Sequence, residues 1–346
     1  MFFRKIIVIV WLISLTVLTG CWTQTEDKKI MPITDKIISW NIVGDKVEDI
    51  DRIEINNTIN CIENLTQKWA DELNKMFSKG TSSSITKLCN SETLYLWSRY
   101  IETLPKEIWH LTNLTKLVLN DNKLTSIPKE IGNLTNLTKL DLRYNKLTSL
   151  PKEIGNLTKL TELEVNNNQL INIPKEIGNL TNLDTIYLYN NQLTALPKEI
   201  ENLTNLMHLS LVKNQLTTLP KEIGNLNKLS NLEVRGNQLT TIPKEIWKLT
   251  NLHTLDLSDN KLMTIPKEIW KLTDLYKLDL SNNQLTSIPK EIINLIDLWD
   301  INLDNNILVN LIGKEWSNYW MNDKTKWNIR IEYNDSTRRY ELTVID

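Results

Sequence analysis

Few residues in this chain could do chemistry. Three cysteines and three histidines occur among 346 residues. His110, His208 and His253 fall at different phases of the sequence pattern described below, and no nucleophile–base pairing is visible around them. Serine and threonine are frequent, but as filler of that pattern. Cys61 and Cys89 would form a disulfide in an exported chain; two free thiols is the alternative, because sequence does not show proximity. Glu233, Asp256 and Asp279 share one phase of the pattern. Carboxylates stacked at strand spacing repel each other, so a basic partner surface or a cation would relieve them, and Lys277 and Arg235 are expected to offset them in part. With no defined ligand set, a solvated acidic face is preferred over a metal site. This inventory points to binding rather than catalysis, with no cofactor and no metal.

The totals agree. The formal net charge is −2, which predicts neither nucleic-acid binding nor a polybasic membrane footprint. Arg4 and Lys5 precede an uncharged apolar stretch, Ile6 to Leu18, that is shorter than a spanning helix needs. Such a segment reads as a secretory signal over residues 1–20. Leu18-Thr19-Gly20-Cys21 then resembles the lipobox of bacterial lipoproteins, which implies lipid attachment at Cys21. The alternative is an ordinary signal peptide with a chance cysteine. Several acyl chains hold a protein stably where one does not, so this anchor would fix the chain to a membrane without a transmembrane segment. Trp22 stands where an Asp marks inner-membrane retention in some envelopes, which favours the outer membrane.

The elements that would carry these residues follow from a strict period. Prolines recur every 23 residues from Pro105 to Pro289, each opening Pro-Lys-Glu-Ile. Between them runs a second pattern, for example Leu114, Leu117, Leu119, Asn122, Leu124 and Ile127. Alternation around Leu117-Val118-Leu119 predicts a short strand with its leucines inward. The Asn, recurring from Asn122 to Asn306, turns the chain out of the strand and can satisfy a buried corner with donors and acceptors. Pro at a first helical position, followed by Ile131, Leu134 and Leu137, predicts a short helix or 3-10 turn. A period of this length signals a solenoid.

The pattern L-x-x-L-x-L-x-x-N-x-L resembles the leucine-rich-repeat family, in its 23-residue class. With Cys21, the chain resembles a bacterial leucine-rich-repeat lipoprotein. The resemblance implies an α/β repeat solenoid, a horseshoe with a parallel concave β-sheet that binds another protein. The expected organisation is a tether and N-terminal region over 21–60 and a helical N-terminal cap over 61–90. About ten repeat units over 91–311 follow, then a C-terminal cap with a β-hairpin over 312–346. Trp327 to Tyr333 and Tyr340 to Val344 alternate as the hairpin strands. The remainder after Leu311 is too short for an appended catalytic domain.

Register identifies the side chains facing outward from the sheet. Their central column includes Tyr95, Glu164, Tyr187, Glu233, Asp256 and Asp279; the column two residues later includes Trp97, Arg143, Tyr189 and Arg235. These positions vary while the Pro-Lys-Glu segments hardly change. Tyr95 and Trp97 near one end, with Tyr144, Tyr187 and Tyr189 near the middle, are candidate interface anchors; the alternative is that aromatics simply favour strands. Trp109, Trp247 and Trp270 take a slot that is glycine in most other units, and packing between coils is preferred there over an outer aromatic patch. The expected function is a monomeric, membrane-anchored protein that binds another protein at the bacterial surface, such as a host or matrix component. A scaffold acting in the periplasm is the alternative.

Overall fold

The computed structural model describes residues 90–307, except 105 and 296, and the backbone of two later strands, 329–334 and 339–344. Cys21, Cys61, Cys89 and the expected signal, tether and N-terminal cap lie outside the described residues.

Ten three-residue strands form one parallel sheet in chain order. They are β1 Thr93–Tyr95, β2 Lys116–Val118, β3 Lys139–Asp141, β4 Glu162–Glu164, β5 Thr185–Tyr187, β6 His208–Ser210, β7 Asn231–Glu233, β8 Thr254–Asp256, β9 Lys277–Asp279 and β10 Asp300–Asn302. Each residue pairs with the one a full repeat away, as in Leu117 with Leu140 and Leu140 with Leu163. The register is fixed because a one-residue slip would turn each inward Leu or Ile to solvent. Those side chains are buried in every strand, together with the next inward residue, such as Leu119, Leu142 and Val165. Two further strands, β11 Ile329–Asn334 and β12 Arg339–Val344, pair antiparallel in the segment expected to hold a hairpin.

The asparagine position acts as the sequence suggested. Asn145 Nδ2 donates to the carbonyls of Leu119 and Leu142 at 3.0 Å each, and its Oδ1 accepts from the Leu124 amide at 3.0 Å. Asn168 and Asn191 repeat the set one and two coils on. Each side chain thus ties its own coil to the preceding one and satisfies backbone groups that water cannot reach.

The convex side is made of 3-10 helices such as Lys129–Asn133 and Lys152–Asn156. Proline is not their first helical residue, as expected from the sequence, but the extended cap before it: Pro128 has φ −73° and ψ 161°. Its carbonyl accepts from Ile131, whose carbonyl accepts from Leu134. Glycine in the slot after Ile lets neighbouring coils approach. A Cβ built on Gly155 would sit 2.6 Å from the Glu176 carbonyl oxygen. Trp109 and Trp247 fill that slot instead and are buried, so they pack between coils as preferred. Trp270 is exposed.

Candidate functional site

Because the chain is extended through each strand, alternate residues leave the core and line the open face of the sheet. On β3 and β4 that face carries a closed ion network. Arg143 Nη2 and Nε meet Asp141 Oδ2 and Oδ1 at 2.8 and 3.0 Å, and Nε lies 2.7 Å from Glu164 Oε2. Lys139 Nζ reaches Glu164 at 2.6 Å and Glu162 at 2.8 Å. Asp141 and Glu164 are almost fully buried beneath these cations. Glu164, expected as a binding residue, is therefore an internal partner: the same side chains that would greet a ligand already hold it.

The electrostatics follow from that burial. Hydrogen bonding to Asp141 holds the Arg143 proton more tightly than usual. Burial works against the Lys139 ammonium, but its hydrogen bonds to Glu162 and Glu164 outweigh this and raise its pKa. Burial pushes Glu164 up. Burial pushes Glu162 up as well, but the hydrogen bond from Lys139 prevails and its net shift is downward. The phenols of Tyr187 and Tyr189 are raised, first by burial and then by nearby groups, Glu162 and Glu164 for Tyr187 and Tyr144 for Tyr189. Their rings meet edge to face with centroids 6.4 Å apart. Between Arg143 and Tyr189 in the same column, Asn166 is completely buried with both amide atoms unpartnered.

On β7 to β9 the face is different. Arg235 turns to Asp259, with Nε 2.7 Å from Oδ2, and Lys277 pairs with Asp300 at 2.9 Å. Neither makes an ion pair with the central carboxylates, but they offset them in part through space, Arg235 with Asp256 and Asp279 and Lys277 with Asp279. Asp256 and Asp279 each accept from the serine two residues on, Ser258 and Ser281, through Oδ1 alone. Among the described residues Glu233, Asp256 and Asp279 have no ion-pair partner, and no group of His, Cys, Asp or Glu could hold a metal ion.

The remaining candidates do not form one patch. Tyr95 and Trp97 are about half exposed at β1, far along the sheet from Tyr187 and Tyr189. Tyr144 is not a sheet-face residue. It lies past β3 in the turn, with φ 53°, in a position that other coils fill with Asp121, Asn167, Asn190 or Gly236. It belongs to neither outward column; in this coil those hold Asp141 and Arg143. Register puts Ser210 in the central column and His208 on the concave side, but neither was taken as a site residue and Asn231 was passed over; with Tyr187, Leu209 and Glu233 they line a shallow hollow of about 60 Å³. Its signal was present: Ser210 is the shortest side chain in the central column, between Tyr187 and Glu233. Exposed Tyr276 and Trp299, just before β9 and β10, were also missed.

Comparison with known proteins places this geometry. A family model described as leucine-rich repeat region matches residues 72–170, 108–206 and 163–256, and a model of two leucine-rich-repeat copies matches 250–292. No match was found among curated proteins. A leucine-rich-repeat protein of Leptospira interrogans is 34% identical over 64% of this chain and 80% of that one, with a TM-score of 0.40. The plant peptide hormone receptor RGFR1, solved in complex with RGF2, is 34% identical over 62% of this chain, with a TM-score of 0.55, and the match spans 39% of the receptor chain. An internalin of Listeria monocytogenes is 23% identical over 71% of this chain and 84% of that one, with a TM-score of 0.46.

Proposed function

Because the chain belongs to the leucine-rich-repeat family, we propose that it is a protein-binding solenoid whose concave sheet face engages another protein, held at a bacterial envelope by lipid on Cys21. The observation that carries the reading is the solvent-facing side of the ten-stranded sheet. Its framework is the same in every coil, while its outward positions differ and include tyrosines and carboxylates with no internal ion-pair partner. Aromatic side chains with polar tips are frequent interface anchors. The receptor solved with RGF2 supports a protein ligand for this architecture.

The finer parts of the proposal rest on the sequence. Leu18-Thr19-Gly20-Cys21 supports the lipid anchor, and the anchor in turn supports display at the cell surface, where a host or matrix protein would be met. The working form is a monomer.

A binding screen with the chain tests the face. The wild type is compared with a variant carrying Tyr187→Ala, Tyr189→Ala and Glu233→Ala. Loss of two or three anchors should weaken a true partner by at least about tenfold; unchanged binding by a folded variant moves the site elsewhere. Cys21→Ser should release the chain from the membrane fraction. Protease added to intact cells should cleave it; protection until permeabilisation would replace surface adhesion with a periplasmic scaffold.

A further inference from the structure

The hollow at the centre of the sheet face has a physical origin in side-chain length. In the central column Ser210 stands between Tyr187 and Glu233, its neighbours on β5 and β7. Strands are about 4.8 Å apart, so two long side chains flank a short one and leave a depression. Its walls are Tyr187, His208, Asn231 and Glu233, and its floor is Leu209 and Ser210.

Three features show what would fill it. The Ser210 hydroxyl is buried and has no hydrogen-bond partner. A buried polar group left in that state costs stability unless something binds it. Glu233 supplies a carboxylate with no ion-pair partner among the described residues, and Tyr187 supplies an aromatic side chain to the lining. Carboxylate, hydroxyl oxygen and aromatic wall together suit a cation carried on an apolar stem. From there the acidic stripe continues through Asp256 and Asp279 on the next two strands.

Resting on the reading that this face binds a protein, we propose that the hollow is a pocket for one Lys or Arg side chain of an extended partner segment that runs across the strands. From Ser210 to Asp279 is three strand spacings, about 14 Å. An extended segment rises about 3.3 Å per residue and presents alternate side chains to one side. Four or five residues therefore cover the stripe. The first basic side chain enters the hollow beside Glu233, and the next two alternate ones, about 6.6 Å apart, lie along Asp256 and Asp279. Any partner of this kind carries basic residues at every second position.

The test uses the full chain and a fluorescein-labelled peptide, Gly-Lys-Thr-Lys-Thr-Lys-Gly, with one version in which Arg replaces Lys and one in which every Lys is acetylated. Binding is read by anisotropy. The basic peptides should bind, the tighter of the two identifying the preferred cation, and acetylation should weaken binding by about tenfold or more. Ser210→Leu fills the hollow with a side chain of a size the column already tolerates at Val118 and Tyr187. It should weaken the peptide about tenfold with no fall in melting temperature, and Glu233→Gln should do the same. Glu102→Gln, an exposed carboxylate in the first coil, removes the same charge and should change nothing. The pocket is overturned if no basic peptide binds, if the acetylated peptide binds equally, if Ser210→Leu or Glu233→Gln binds as wild type does, or if Glu102→Gln weakens binding as much as Glu233→Gln. Failure of the wider reading looks different: a native partner would still bind the variant lacking Tyr187, Tyr189 and Glu233.

Discussion

Asp141, Arg143 and Glu164 on one part of the sheet are built like Glu233, Arg235 and Asp256 on another. In each, a carboxylate sits two residues before an arginine and a second carboxylate follows in the next strand. The outcomes are opposite. Arg143 turns inward and binds both carboxylates. Arg235 turns away and binds Asp259, leaving both carboxylates without an ion pair. The cause lies in the turn one coil on. There the arginine of the second set meets Asp259, while the equivalent residue for Arg143 is the uncharged Asn167. The two sets thus differ at that turn residue and at Lys139, which closes over Glu164 where the second set has the uncharged Asn231.

The largest test of this contrast is removal of the arginine. Arg143→Met leaves buried Asp141 without its cation and Glu164 with Lys139 alone, and should cost about 3 kcal/mol, as breaking buried pairs does. Arg235→Met breaks an ion pair that is half exposed, and such pairs are worth about 0.5 kcal/mol or less. Urea unfolding of the two variants compares them directly, and equal losses would mean that the closed network is not structural.

The closed network also has a pH signature on the alkaline side. Lys139 has its pKa raised above the ordinary 10.5, and Tyr187 and Tyr189 above 10.0. In each case the folded state holds a proton that the unfolded state releases first. Their contribution is therefore fully present below about pH 10 and falls as pH rises through the folded pKa values. Urea midpoints measured at pH 8 and pH 11 should drop for the wild type. Lys139→Met should drop less between the two, since one of the linked protons is gone; an identical drop would remove Lys139 from the account.

Tyr144 marks the border of the closed network, and it holds a left-handed backbone with φ 53°. Asn, Asp and Gly, which fill this turn position in most other coils, tolerate that conformation; a tyrosine does so at a cost. Tyr144→Asn should raise stability by about 1 kcal/mol. If the tyrosine also serves an interface near Tyr189, the same variant should bind a native partner less well. A stability gain without a binding loss would leave the strained tyrosine with no role at this face.

How much of this was legible beforehand depends on whether a residue acts through its period or through its neighbours. The solenoid, the asparagine ties and the inward leucines were readable because each repeats identical contacts every 23 residues. The outward columns were readable for the same reason. What those columns do was not. Glu164 looked like a ligand contact because sequence shows its position but not that Arg143 and Lys139 close over it. Tyr144 was grouped with Tyr187 and Tyr189 as an aromatic near the middle of the sheet, although it stands outside both outward columns and falls in the turn after β3. The Ser210 hollow needed three adjacent side-chain lengths compared across strands, a relation that exists only once the register is fixed.

The smallest effects sharpen the contrast from the acidic side. Asp256→Asn with Asp279→Asn keeps an oxygen to accept from Ser258 and Ser281 but removes two like charges stacked on adjacent strands. Relief of that repulsion should stabilise the chain by about 0.5 kcal/mol. Because these groups are partly exposed, the gain should shrink in 1 M salt, where the Debye length is about 3 Å. The matching change in the closed network, Glu164→Gln, should not stabilise, since it removes a carboxylate that two cations already hold. Asp259→Asn then asks whether the turn residue is the switch. Freed from Asp259, Arg235 can swing to Glu233 and Asp256 as Arg143 does to Asp141 and Glu164. Stability should change by less than about 0.5 kcal/mol, the worth of one exposed pair exchanged for another. The lysine peptide should nevertheless bind several-fold more weakly, because an internal cation now occupies the carboxylates it would use. Unchanged peptide binding in Asp259→Asn would show that some feature other than the turn keeps Arg235 turned away.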